Sequence, residues 1–103
     1  MTGTSGGSGM EKLRTAVVGA GKMGAIHAKV LSQLPQSRLV AVVDVNTQKG
    51  QALASQYGCP YFEKPDDIVE MVDAVTIAAP TVTHLAIART FLERGIPVLI
   101  EKP

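Results

Sequence analysis

The sequence predicts an α/β domain of three layers, α-β-α, around a parallel five-stranded sheet in the order 3-2-1-4-5. Three observations carry that prediction. Short apolar, β-branched runs near 13–18, 39–43, 74–78 and 97–100 alternate with stretches of helical period. The run Leu39 to Val43 is almost continuously apolar, as a parallel strand covered on both faces is. The first run enters a turn, Gly19-Ala20-Gly21-Lys22-Met23-Gly24, from which an amphipathic helix leaves. A strand, a glycine turn and a helix in that order open a doubly wound, dinucleotide-binding Rossmann fold.

The elements follow in order. Residues 1–9 have nothing to bury and read as a flexible tail, either a cloning scar or a genuine leader, with Met10 as a second candidate start. Residues 10–103 form the dinucleotide-binding domain. Leu13 to Val18 is the first strand. The next helix carries Met23, Ile26, Val30, Leu31 and Leu34 as its core-facing stripe, and Pro35 stops it. Leu39 to Val43 is the second strand. Asn46 or Thr47 caps a helix whose Ala52, Leu53 and Tyr57 point inward, and Gly58 ends it. Tyr61-Phe62 is a short third strand, and Asp66 caps a brief helix through Met71. Ala74 to Ala78 is the fourth strand, Val82 to Arg94 a helix closed by Gly95, and Pro97 opens a last strand through Ile100.

Bulk composition narrows the function. The 103 residues suffice for one domain, and 46% hydrophobic content with 18% charge is ordinary for a globular chain. A formal net charge of +1 makes no electrostatic case for nucleic acid or an anionic membrane. No apolar run approaches the ~20 residues that span a bilayer. Cys59 is the single cysteine, which excludes an internal disulfide and fits a reducing, cytoplasmic setting.

Each turn glycine has its own expected task. Gly19 permits the tight turn, Gly21 lets backbone approach a pyrophosphate, and Gly24 lets the helix sit close to the strand. The N–H groups of the helix start, at Lys22 and Met23, then face phosphate. Asp44 lies 20 residues past Gly24, at the end of the second strand, followed by Val45. A carboxylate there accepts hydrogen bonds from ribose hydroxyls and repels a 2′-phosphate, which favours NAD over NADP without excluding the latter. Ala79-Pro80-Thr81 follows the fourth strand at the carboxyl edge of the sheet, where open α/β sheets bind ligands. His84, one turn into the next helix, is a candidate for the nicotinamide side, weighed against core packing. His27 reads as packing behind the glycine turn, and neither histidine has the neighbours of a metal site. Lys102, flanked by Glu101 and Pro103 after a buried strand, is the catalytic candidate: a lysine there can bond a substrate hydroxyl as hydride leaves.

Taken together, the glycine turn with His27, Val43-Asp44, Ala79-Pro80-Thr81 with His84, and Glu101-Lys102-Pro103 resemble one family. It is the amino-terminal domain of the glucose–fructose oxidoreductase, inositol dehydrogenase and rhizopine-catabolism (Gfo/Idh/MocA) family, and the resemblance covers residues 13–103. The resemblance implies NAD(P)-dependent hydride transfer at a CH–OH carbon of a sugar, cyclitol or nucleotide sugar. It implies that Lys102 contacts the substrate hydroxyl and that Pro80 packs beside the cofactor. Ala79-Pro80-Thr81 departs from the Thr-Pro-Asn that many relatives carry, so the ribose contact of that asparagine is not implied here.

Relatives of this kind continue into a second domain that supplies an Asp…His pair and most substrate contacts. The expectation is therefore a fragment, cut before its substrate domain, that binds cofactor at best. A polyol or sugar would be a partner only with that further domain. Val98-Leu99-Ile100 would then be an apolar sheet edge, and the chain is expected to form homo-oligomers through it or through an apolar face. The alternative is a free-standing module that senses NAD(H) or serves assembly without catalysis. An enzyme of another Rossmann family shares the glycine turn but is not expected to close on Glu-Lys-Pro.

Overall fold

Alternation along the strands decides which side of the sheet each residue serves. In Leu13–Val18 (β1), Ala16 and Val18 point to one face and Val17 to the other, all almost fully buried. Ser37–Val43 (β2) repeats the pattern, with Ala41 and Val43 opposite Val42. The computed structural model describes residues 12–79 and 81–100. The tail 1–9, Met10, Pro80, Glu101, Lys102 and Pro103 lie outside them.

Among the described residues the sheet has five strands. Tyr61–Phe62 (β3), Ala74–Ile77 (β4) and Val98–Ile100 (β5) complete the order β3-β2-β1-β4-β5, every neighbouring pair parallel. This is the predicted 3-2-1-4-5. Lys22–Gln33 (α1) and Thr47–Gln56 (α2) cover the face of Val17 and Val42. Thr81–Leu92 (α3) and a 3₁₀ turn at Pro65–Ile68 cover the other, where Phe91, Ile68 and Ile77 are fully enclosed. No described helix is long and apolar enough to cross a membrane. On the α1 side, the sheet over β4 and β5 keeps a shallow groove of about 210 Å³ among Leu31, Ala74, Thr76, Pro97 and Leu99.

Strand and α-helix ends fall within two residues of expectation, β2 beginning at Ser37 rather than Leu39, while the brief helix expected through Met71 ends at Ile68. The ladder to β1 reaches that far, and a buried Thr15–Ser37 hydroxyl pair at 2.9 Å satisfies the polar start. Asn46 is the α2 cap: its side chain accepts the Lys49 N–H at 2.9 Å. At the opposite end of the sheet, Arg14 grips Asp73 with Nη2 to Oδ1 at 3.0 Å and Nε to Oδ2 at 3.2 Å. The guanidinium, with the Arg14 N–H, holds the Asp73 carboxyl below its usual range. The pair is exposed and adds little stability.

Three expectations need correction. The α1 stripe turns out to be Gly24 and Ala28, with Leu31 and Ala25 half-buried beside them, while Ile26, Val30 and Leu34 stay nearly half exposed. Apolar residues surround most of this helix, and the side with small residues wins because it permits the closest approach to the sheet. In α2 the inward line is Gly50, Leu53, Ala54 and Tyr57, spaced i, i+3, i+4, i+7, and Ala52 falls off it into solvent. Asp66 does not cap a helix. Pro65, with no N–H to satisfy, opens the 3₁₀ turn from Lys64 instead, and Ile68 anchors it in the core.

This distribution predicts unequal costs of truncation. Phe91→Ala should lower the unfolding free energy by about 3–5 kcal/mol, and Ile26→Ala by less than about 1 kcal/mol. Urea unfolding of the two variants beside the parent chain measures both; similar losses would contradict the small-residue packing of α1.

Candidate cofactor site

Because all five strands are parallel, their carboxyl ends share one edge, and the loops leaving β1, β2 and β4 meet there. Hydrogen bonds lock the three together. The Gly19 N–H donates to the Val43 carbonyl at 2.7 Å, and the Ala78 N–H donates to the Val18 carbonyl at 2.8 Å. The crevice above β1 and β4 is where chain direction switches, the place at which sheets of this kind take ligands.

The glycine turn is built as its spacing requires. Gly19 has φ +111°, and a side chain there would begin 2.7 Å from the Ala78 carbonyl oxygen. A Cβ on Gly24 would lie 1.8 Å from the Gly19 carbonyl oxygen, so α1 rests directly on the turn. At Gly21 the opposite holds: nothing stands within 4 Å of where a Cβ would be. Gly21 is the N-cap of α1 and offers no side-chain cap, and the first turn holds no acidic residue. Its first N–H groups therefore have no intrahelical acceptor and face the open side with the positive end of the helix dipole.

In front of this turn lies a cleft of about 920 Å³, toward the upper end of the roughly 300–1,000 Å³ usual for ligand sites. Of the expected residues, Gly19, Gly21, Lys22, Met23, Asp44, Val45 and Ala79 line it. Gly24 sits behind the wall, buried under the turn. Thr81 is the first residue of α3. His84 is buried, 6% exposed, and its Nε2 meets the Ala79 carbonyl, so it braces the loop from behind the cleft. His27 is half-buried on α1. Lys102, Glu101 and Pro80 lie outside the described residues.

Asp44 is tied into the site rather than hanging over it. Its Oδ2 accepts the Ala20 N–H at 2.6 Å, and its Oδ1 accepts the Asn46 N–H at 2.7 Å. A carboxylate has about four acceptor positions, so each oxygen keeps one for a ligand. The Asn46 bond also makes the same carboxylate shape the turn that follows β2.

Several cleft residues escaped sequence reasoning: Lys49, Glu63, Pro65, Ala86 and Ile87. Ala86 and Ile87 carry no functional signature, and only the packing of α3 against the sheet brings them forward. Lys49 had a usable signal, since it follows the Asn46 cap by one helical turn and must share its side of α2.

Comparison with known proteins decides the assignment. The family described as "Oxidoreductase family, NAD-binding Rossmann fold" matches residues 13–103. The chain belongs to that family. It is 37% identical to a UDP-N-acetylglucosamine 3-dehydrogenase from Acidithiobacillus ferrooxidans, over 91% of this chain and 29% of that enzyme. It is 40% identical to an inositol 2-dehydrogenase from Rubrobacter xylanophilus, over 90% and 28% respectively. The crystal structure of GenD2 from gentamicin A biosynthesis, in complex with NAD, superposes with a TM-score of 0.87 at 36% identity, covering all of this chain and 30% of that one. The chain therefore spans under a third of the length of these relatives. The glycine turn, the open space at Gly21 and the uncapped α1 start fit the NAD-binding domain of that family.

The two kinds of glycine separate in a mutational test. Gly24→Ala should cost at least about 1–3 kcal/mol of stability through overpacking and should weaken NADH binding. Gly21→Ala, at an N-cap with open space beside it, should change stability by no more than about 1 kcal/mol while still weakening NADH. Chemical unfolding and NADH titration of both variants check this.

Proposed function

We propose that this chain is the cofactor-binding domain of an oxidoreductase that moves a hydride between a nicotinamide ring and a CH–OH carbon of a sugar, cyclitol or nucleotide sugar. The observation that carries the reading is Asp44, anchored at the end of β2 by the N–H of Ala20 in the glycine turn. It puts a negative charge in the wall that also holds an uncapped helix start. The cofactor, when bound, supplies the hydride acceptor or donor.

In this reading the chain's own groups bind and orient. Gly21, Lys22 and Met23 present backbone N–H groups to the pyrophosphate, with Gly19 and Gly24 shaping the turn. Asp44 accepts ribose hydroxyls and repels a 2′-phosphate, which selects NAD. Val45, 81% exposed at the cleft rim, offers apolar surface to the adenine side. Ala79 stands beside the nicotinamide half and His84 holds its carbonyl in place, while the resemblance adds Pro80 and Thr81 as cofactor contacts. Lys102, with Glu101 beside it, bonds the substrate hydroxyl and assists its deprotonation; this role rests on the Glu-Lys-Pro resemblance. The activities of the relatives, dehydrogenation of UDP-N-acetylglucosamine and of inositol, support the substrate class. The same reading includes a cytoplasmic setting, supported by the single, half-buried Cys59, whose thiol burial pushes up in pKa. It also includes self-association through β5, where Leu99 and Ile100 are exposed, or through an apolar face.

Calorimetric titration with NADH and NADPH tests the selectivity. NADH should bind more tightly, and Asp44→Ala should erase roughly tenfold or more of that preference, the scale of hydrogen bonds to a charged group. Equal affinities in the parent chain would overturn the role given to Asp44.

A further inference from the structure

Asp44 needs a support that neither its strand nor the glycine turn provides, and a tyrosine on the edge strand supplies it. The Tyr61 hydroxyl donates to the Asp44 backbone carbonyl at 2.6 Å and lies 3.5 Å from Thr47 Oγ1. The Asp44 N–H in turn donates to the Phe62 carbonyl at 3.1 Å. The Tyr61 hydroxyl and the Phe62 carbonyl thus hold the main chain of Asp44 on both sides, while its carboxylate is bonded to Ala20 and Asn46.

The ring has its own reserved place. Tyr61 packs against the cluster of Val17, Val42, Leu53 and Ala54. A Cβ on Gly50 would stand 2.2 Å from Tyr61 Cε1 and 3.3 Å from Asp44 Cβ. Gly50 lies inside α2, where glycine costs about 1 kcal/mol relative to alanine. The close passage of the Tyr61 ring accounts for it. Helix α2, strand β3 and the end of β2 therefore converge on a single carbonyl.

We propose that Tyr61 is a positioning residue for cofactor selection: its hydroxyl fixes the peptide that carries Asp44, and so fixes where the carboxylate meets the ribose. The proposal rests on the reading of Asp44 as the ribose-binding carboxylate. Without the hydroxyl, the Asp44–Val45 peptide is free to rotate and the carboxylate loses its aim. With no carboxylate to aim, the hydroxyl has no effect on selection.

Tyr61→Phe removes the oxygen and keeps the ring against Gly50. In titrations of the full chain it should weaken NADH roughly two- to tenfold, the scale of one neutral hydrogen bond, and leave NADPH unchanged. In an Asp44→Ala background the same substitution should leave NADH affinity where it was. Before any ligand is added, the Ala20 and Asn46 amide resonances should shift in Tyr61→Phe, a readout that general loosening of β3 would not confine to those two. Equal losses for both cofactors, no loss for either, or an undiminished loss in the Asp44→Ala background would overturn the proposal. If Asp44→Ala alone leaves the NADH-to-NADPH ratio unchanged, the reading of Asp44 falls and the role of Tyr61 with it. If Asp44→Ala abolishes the ratio and Tyr61→Phe does not move it, only the role of Tyr61 falls.

Discussion

The contact between Gly24 and the Gly19 carbonyl is the constraint on which the rest of the molecule depends. With a Cβ at 1.8 Å from that oxygen excluded, α1 can lie directly on the turn that ends β1. The helix then buries its small residues, Gly24 and Ala28, and leaves Ile26, Val30 and Leu34 toward solvent. It also brings an uncapped helix start to the carboxyl edge of the sheet, beside β2 and β4. One steric requirement thus sets the packing of a layer and the position of the electropositive end that faces the cleft.

The second organising point is Asp44. A short carboxylate at the end of a central strand would ordinarily sample several rotamers. Here its two oxygens accept from Ala20 and Asn46, its carbonyl from Tyr61, and its own N–H reaches Phe62. Preorganisation of this kind lowers the ordering cost at binding, so the free acceptor positions can be spent on a ligand. On the proposed reading of Asp44 it also links cofactor selection to β3, a strand of only two residues at the sheet edge.

Strand order, and the part of the cleft wall made by the glycine turn and Asp44, were legible because backbone rules dictate them. Parallel apolar runs, a glycine turn and a carboxylate 20 residues on leave few topologies. What was not legible depends on size and on distance in the chain. Helix α1 carries two competing apolar stripes, and pattern alone does not say that the smaller one goes inward. Ala52 and Ala54 differ only in their angle around α2, which becomes decisive once Tyr61 has claimed the space at Gly50. The hydrogen bond from Tyr61 to Asp44 spans 17 residues and has no local signature. His84 shows the same limit: it stands one turn into α3, as read, but its ring turns to the loop carbonyl behind the cleft.

Mapping NADH onto the chain by amide chemical shifts tests the central claim most directly. The largest shifts should fall on Gly19 through Gly24 and on Asp44 through Asn46, with the uncapped start of α1 moving most. Shifts centred instead on the groove between Leu31 and Leu99, with Gly21 and Lys22 unmoved, would contradict it.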